Sequence, residues 1–146
     1  MRIYVLGSNF FMKEMVKCKD KLCALGYDGW IHPHYEAMVR GEMPGHLARL
    51  KNGEQAILKR ENDYLKVHYR HILESDAILI VNLEKNGRKN YIGGNALIEM
   101  GQAHVHDKKI FLLGEIPSDI SYVDEIIAMD PICLHGDLRN IGSLTI

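Results

Sequence analysis

Residues 75–111 read SDAILIVNLEKNGRKNYIGGNALIEMGQAHVHDKKIF, and this stretch decides the fold. Ala77-Ile78-Leu79-Ile80-Val81 is an unbroken β-branched and aliphatic run, the pattern of a parallel strand covered on both faces. Lys109-Ile110-Phe111-Leu112-Leu113 is a second run of the same kind. Between them, residues 95–106 place apolar or small residues at Ala96, Ile98, Met100 and Ala103, which predicts a helix. Strand, helix and strand at this length make a βαβ unit with a right-handed crossover. Ligands of such sheets bind at the carboxyl ends of the strands, where the next helices begin. Residues 91–95 therefore belong to the ligand edge: Gly93 and Gly94 permit close backbone approach, and the first helical turn offers free N–H groups beside Asn95.

Glu99 lies one turn into that helix and is the candidate for chemistry. A first-turn glutamate is commonly a solvated residue favoured by the helix dipole. Here it is flanked by Leu97 and Ile98 and followed by Met100-Gly101-Gln102-Ala103, a setting that can hold a carboxylate in a tight cleft.

Working outward, residues 2–6 (RIYVL) form the first strand, central in the sheet. Gly7, Ser8 and Asn9 make the turn after it, and Ser8 or Asn9 caps a helix running to about Leu25. Gly26 closes that helix. Such a start can hold an anion or a sugar hydroxyl, although it is also how a plain βα turn reads. Residues 29–32 form a short second strand that ends in His32-Pro33-His34, where Pro33 is expected to prevent helical continuation. Residues 35–53 follow as an insertion and possible lid, in which Met38, Met43 and Pro44 can cover a substrate. One helical piece is expected over 46–51, then a long helix over 54–74 with Ile57, Glu61, Leu65, His68 and Ile72 along one stripe. After the central unit come a loop at 116–119, a short helix over 123–129, a fifth strand at 132–134, a final turn at 138–141 and a tail that docks or frays. The sum is a single-domain α/β protein, a flavodoxin-like or Rossmann-like three-layer sandwich with a five-stranded parallel sheet in the order 2-1-3-4-5. That order brings Gly7, Ser8 and Asn9 into one crevice with residues 82–95, with 32–35 at its rim.

The 146 residues suffice for one good core. Hydrophobic residues make up 47% and charged residues 25%, as in an ordinary soluble protein. A net charge of −1 gives no bulk electrostatic case for a nucleic acid polymer or a membrane surface. No apolar run has membrane-spanning length, and a first strand starting at Arg2 leaves no room for a leader peptide, so a cytoplasmic location is expected. Cys18, Cys23 and Cys133 are odd in number and lack a CxxC spacing, which points away from disulfides and zinc knuckles. Eight histidines include two i,i+2 pairs, His32/His34 and His104/His106. Such pairs diverge on a helix, and no HExxH accompanies them, so no metal and no other cofactor is expected. There is no GxSxG for a serine nucleophile. The basic loop 85–89 (KNGRK) overhangs the ligand edge, where it is either simply solvated or meets a phosphate.

The order of parts resembles the nucleoside 2-deoxyribosyltransferase superfamily, which includes the 2′-deoxynucleoside 5′-phosphate N-hydrolases. The resemblance rests on the N-terminal IYVLGS, the SDAILIVN strand, and a glycine-bearing loop leading to Glu99-Met100-Gly101-Gln102-Ala103, which matches the family's E-(hydrophobic)-G-x-A. It implies that Glu99 attacks the anomeric carbon of a deoxyribose. It also implies that Tyr4, Gly7 and Ser8 line the sugar and base site, and that Asp76 is structural. Two positions depart from the family. The acid or serine usually found six residues before the glutamate is Gly93, and the base-contacting aspartate of the transferases is His68. Asn82, Asn90 and Asn95 are available as replacement hydrogen-bonding groups.

The chemistry implied is that of a retaining glycosidase acting on a C–N bond. An unperturbed glutamate has a pKa of about 4.3, so Glu99 is expected to be ionised and ready to attack without a base. Tyr4 is expected to orient it, and the leaving base to take a proton from water or from a histidine such as His68. The expected partner is a small-molecule nucleoside or nucleotide, handled by a homodimer or larger homo-oligomer. Two other readings are a phosphoribohydrolase of the cytokinin-activating type, whose Gly-Gly…Glu loop is similar to Gly93-Gly94…Glu99, and a nucleotide-binding sensor without turnover.

Overall fold

The alternation of side chains along the first strand sorts the whole molecule into layers. In β1 (Arg2–Leu6), Ile3 and Val5 point to one face of the sheet and Tyr4 and Leu6 to the other, as the two-residue period of a strand requires. The computed structural model describes residues 1–144. Four further strands complete the sheet: β2 (Asp28–Trp30), β3 (Ala77–Ile80), β4 (Lys109–Leu112) and β5 (Ile132–Cys133). All pairings are parallel and the order is β2-β1-β3-β4-β5, so the predicted α/β architecture and strand order are those of the structure.

On the first face, Ile3, Val5, Leu79 and Phe111 meet Met15 and Leu22 of α1 (Met12–Ala24) and Ile141 of α8 (Asn140–Leu144). On the second, Tyr4, Ile78, Ile80 and Leu112 meet three helices: α5 (Tyr64–Leu73) through Ile72, α6 (Gly94–Val105) through Ala96, Met100 and Ala103, and α7 (Val123–Ala128) through Ile126. Residues Ile78, Leu79 and Ile80 have no exposed surface, which is what a strand covered on both sides demands. Among the described residues, no helix is long and apolar enough to cross a membrane.

Three expectations are corrected. Pro33 does not exclude a helix: it opens α2 (Pro33–Val39), with the His32 imidazole accepting the His34 N–H at 3.1 Å. Proline suits a first helical position because the N–H it lacks has no intrahelical acceptor there. The possible lid at 35–53 is therefore built of regular helix, α2 followed by α3 (Pro44–Lys51). The long helix over 54–74 is two helices, α4 (Gln55–Glu61) and α5, broken at Asp63 in the left-handed region (φ 52°), while the Asn62 side chain caps the Leu58 carbonyl at 2.9 Å. The break changes the helical phase. Ile57 and Leu65 are left about half exposed, while Leu58, His68 and Ile72 go inward. The final turn expected from the sequence is the short helix α8, and Thr145 and Ile146 of the tail lie outside the described residues.

Candidate functional site

The buried face of α6 carries Ala96, Glu99, Met100 and Ala103, a strict i, i+3, i+4, i+7 stripe. The carboxylate therefore occupies a core position of its helix, whereas Ile98, which the sequence pattern put on the stripe, is about half exposed. Glu99 is 5% exposed, and its Oε2 has no hydrogen-bond partner among the described residues. It faces a pocket roofed by α2, α3 and α4, whose wall includes His32, His34, Tyr35, Tyr64 and His68, with Lys59 at its edge. Burial pushes the Glu99 carboxyl up to about 8, against the opposing pull of the Lys59 ammonium. The expectation of a carboxylate ionised at neutral pH is thus corrected. Water that would stabilise the charge has been removed, and one lysine does not replace it.

Around the pocket, phenols bridge imidazoles. The Tyr4 hydroxyl lies 2.7 Å from His68 Nδ1 and 3.0 Å from His71 Nδ1. The Tyr64 hydroxyl lies 2.6 Å from His34 Nδ1 and 3.1 Å from His46 Nε2. A phenol has one proton to give, so with neutral imidazoles each bridge donates to one ring and accepts from the other. The two rings of each bridge then differ in whether the facing nitrogen carries hydrogen. Neutrality is what burial favours: His32 is pushed down to about 3 and His68 to about 4, first by burial and then by neighbouring imidazoles. Burial, with the Glu99 carboxylate second, raises the Tyr4 phenol.

A wider cavity of about 610 Å³ adjoins this pocket and shares Asn9, Leu50, Gln55, Lys59 and Asn95 with it. Ser8, Gly93, Gly94, Lys51 and Lys85 also line it. No side chain caps α6 at Gly93, so the N–H groups of its first turn are left for another acceptor. The inner pocket, by contrast, has only about 30 Å³ of free space, enough for one or two waters.

The proposed site residues thus divide. Glu99 and His68 line the inner pocket, while Asn95 and Asn9, whose Oδ1 accepts the Tyr35 hydroxyl at 3.0 Å, line both chambers. Ser8, Gly93 and Gly94 line the outer one. Ser8 also holds its own turn together, since its Oγ accepts the Phe10 N–H at 3.2 Å and caps the 3-10 turn that leads into α1. Three assignments are corrected. Tyr4 does not orient the carboxylate, because its hydroxyl is committed to His68 and His71 beneath the pocket. Asn82 is buried and ties β3 to the end of β4, accepting the Gly114 N–H and donating to the Glu115 carbonyl, both at 2.8 Å. Gly7 lines neither chamber: it has a positive φ of 156°, and a Cβ there would stand 3.1 Å from the Val81 carbonyl oxygen. It is needed for close packing of the turn.

Lys59, His46 and Gln55 were not singled out from the sequence, yet all three line the inner pocket. The break at Asp63 turns Lys59 inward and leaves Glu61 paired with Arg49 at 2.8 Å, while Tyr64 at the start of α5 lines the pocket. Among the described residues, no group of three or more His, Cys, Asp or Glu is arranged to hold a metal ion.

No protein-family model, curated protein or solved structure matches this chain.

Proposed function

We propose that this chain cleaves or transfers the N-glycosidic bond of a nucleoside or nucleotide, with Glu99 as the nucleophile. One observation carries the reading: a carboxyl on the core stripe of a glycine-led helix, at the carboxyl edge of a parallel sheet, with one buried oxygen lacking a partner among the described residues. Such a group is costly to keep unless something else completes it, and an anomeric carbon reached through the α6 N-terminus fits that role.

In its ionised form Glu99 attacks C1′. The C–N electron pair leaves with the base, which takes a proton from water, because burial keeps His32 and His68 neutral. A glycosyl ester remains on Glu99. Water, or a second base in a transfer, then attacks the same carbon and releases the carboxylate, and the proton lost by the incoming group goes to solvent. Because burial holds the resting carboxyl protonated at neutral pH, the reactive fraction grows as pH rises through about 8. The inner pocket has to widen for a sugar to reach Glu99, and α3 is suited to give way, since none of its residues is fully buried, although Arg49 pairs with Glu54 and Glu61 and His46 meets Tyr64.

A second reading, binding without turnover, draws on the same narrowness and on the resting protonation of Glu99. Incubation with a panel of (deoxy)nucleosides and their phosphates separates the two. Release of free base that is lost in Glu99→Gln supports the enzyme, and saturable binding with no base released supports the sensor. A homodimer or larger assembly and a cytoplasmic setting belong to the same proposal. The exposed Leu65, Ile98 and Val105 on α5 and α6 are available to an interface.

A further inference from the structure

The outer cavity is lined by three lysines from three separate elements: Lys51 at the end of α3, Lys59 in α4, and Lys85 in the loop after β3. Among the described residues no carboxylate lines this cavity, and none of the three lysines takes part in an ion pair. Three like charges around one space repel one another unless an anion sits between them. Lys85 is held in place by aromatic faces, its Nζ lying 4.8 Å from the centre of the Tyr91 ring and 5.7 Å from that of Phe10. The uncapped first turn of α6 opens into the same space, adding backbone donors suited to an anion. Glu99, whose buried Oε2 has no hydrogen-bond partner among the described residues, lines the chamber that adjoins this one through Asn95 and Lys59.

Charge and volume set the class of the ligand. A single phosphate carries about two negative charges near neutral pH, too few for three lysines and a helix terminus. A cavity of about 610 Å³ is in the range that encloses a ligand of many atoms rather than one small ion. We infer that the outer cavity binds a terminal diphosphate, and that the ligand is a nucleoside 5′-diphosphate rather than a free nucleoside. The glycosidic half of this inference rests on the reading of Glu99 given above, whereas the diphosphate site stands on the outer cavity alone.

The test is calorimetric titration of the intact chain with inorganic pyrophosphate, and with inorganic phosphate and sulfate at matched ionic strength. Pyrophosphate is expected to bind at least tenfold more tightly than phosphate. Lys51→Ala and Lys85→Ala are each expected to weaken pyrophosphate severalfold while unfolding at the wild-type temperature, and Glu99→Gln to leave it within about twofold. Equal affinity for pyrophosphate, phosphate and sulfate, or unchanged affinity in the Lys51→Ala/Lys85→Ala double variant, overturns the site. Base release is then compared between a nucleoside and its mono- and diphosphates, with kcat/KM expected to be highest for the diphosphate. Pyrophosphate binding with no base released from any of them keeps the diphosphate site and ends the Glu99 reading. Base release from nucleosides without pyrophosphate binding does the reverse.

Discussion

The inner and outer chambers share Asn9, Leu50, Gln55, Lys59 and Asn95, yet they treat charge in opposite ways. Inside, burial removes water from Glu99, His32 and His68, and each is driven toward its neutral form. Outside, Lys51, Lys59 and Lys85 stand around a wide cavity with no carboxylate among the described residues to neutralise them. The contrast teaches a division of labour: a wet, cationic space is suited to hold the charged part of a ligand, and a nearly dry one to act on a bond beside it, where electrostatic effects are strongest.

The largest expected effect falls on the inner chamber alone. Glu99→Gln should lower base release by about 10³-fold or more, the scale on which a lost nucleophile registers, with little change in pyrophosphate affinity. Parallel losses of both in a steady-state assay and a titration would erase the distinction between the chambers.

The next effect is on stability against pH. The folded-state pKa of Glu99 is raised from 4.5 to about 8, so its contribution is present at low pH and is lost as pH rises through that window. His32 and His68 are lowered from 6.5 to about 3 and about 4, so theirs is lost as pH falls below 6.5. From 6.5 down to 4 the two imidazoles outweigh the one carboxyl, and from 6.5 up to 8 the carboxyl acts alone, which places the maximum from these groups near pH 6.5. Denaturant unfolding should show wild type losing about 2 kcal/mol between pH 6.5 and 8, and Glu99→Gln losing little over that interval. A flat wild-type curve there would mean that Glu99 is solvated and the chambers do not differ.

A smaller loss is expected for Tyr4→Phe. It removes the hydroxyl shared by His68 and His71 and should cost about 1.5 kcal/mol in denaturant unfolding, the scale of buried imidazole nitrogens left unpaired. Smallest is Arg49→Ala. Its ion pairs with Glu54 and Glu61 are solvent-exposed, so the unfolding midpoint should barely move. If α3 must shift to admit the sugar, KM for base release should change more than kcat.

How much of this was legible in the chain follows from which forces act locally. The strands at 2–6 and 77–81 and the order of the sheet could be read because continuous apolar runs and βα alternation depend on near neighbours. Glu99 could be singled out by its place one turn past Gly93 and Gly94 and by the resemblance of residues 99–103, whereas its core position could not be read, because the apolar pattern favours Ile98 for the stripe that Glu99 occupies. Nor could the roof. Pro33 starts a helix, with His32 as its cap, where the same proline also reads as a stop, and the 54–74 segment breaks because Asp63 takes a left-handed conformation that its neighbours do not announce. That break turns Lys59 inward. The commitments of Tyr4 and Asn82 lie across 64 or 67 and 32 or 33 residues, beyond any local pattern. Burial then altered the chemistry of Glu99 as well as its position, and no motif reports a protonation state.

The most direct measurement of the central claim is peptide mass mapping of the protein after incubation with a 2-deoxy-2-fluoro nucleotide analogue, repeated across about pH 6–9, the range that brackets the Glu99 titration. The account predicts a glycosyl adduct on the Glu99 side chain, forming faster as pH rises through about 8. Base release without any adduct, an adduct on another residue, or labelling that slows over the same interval would contradict it.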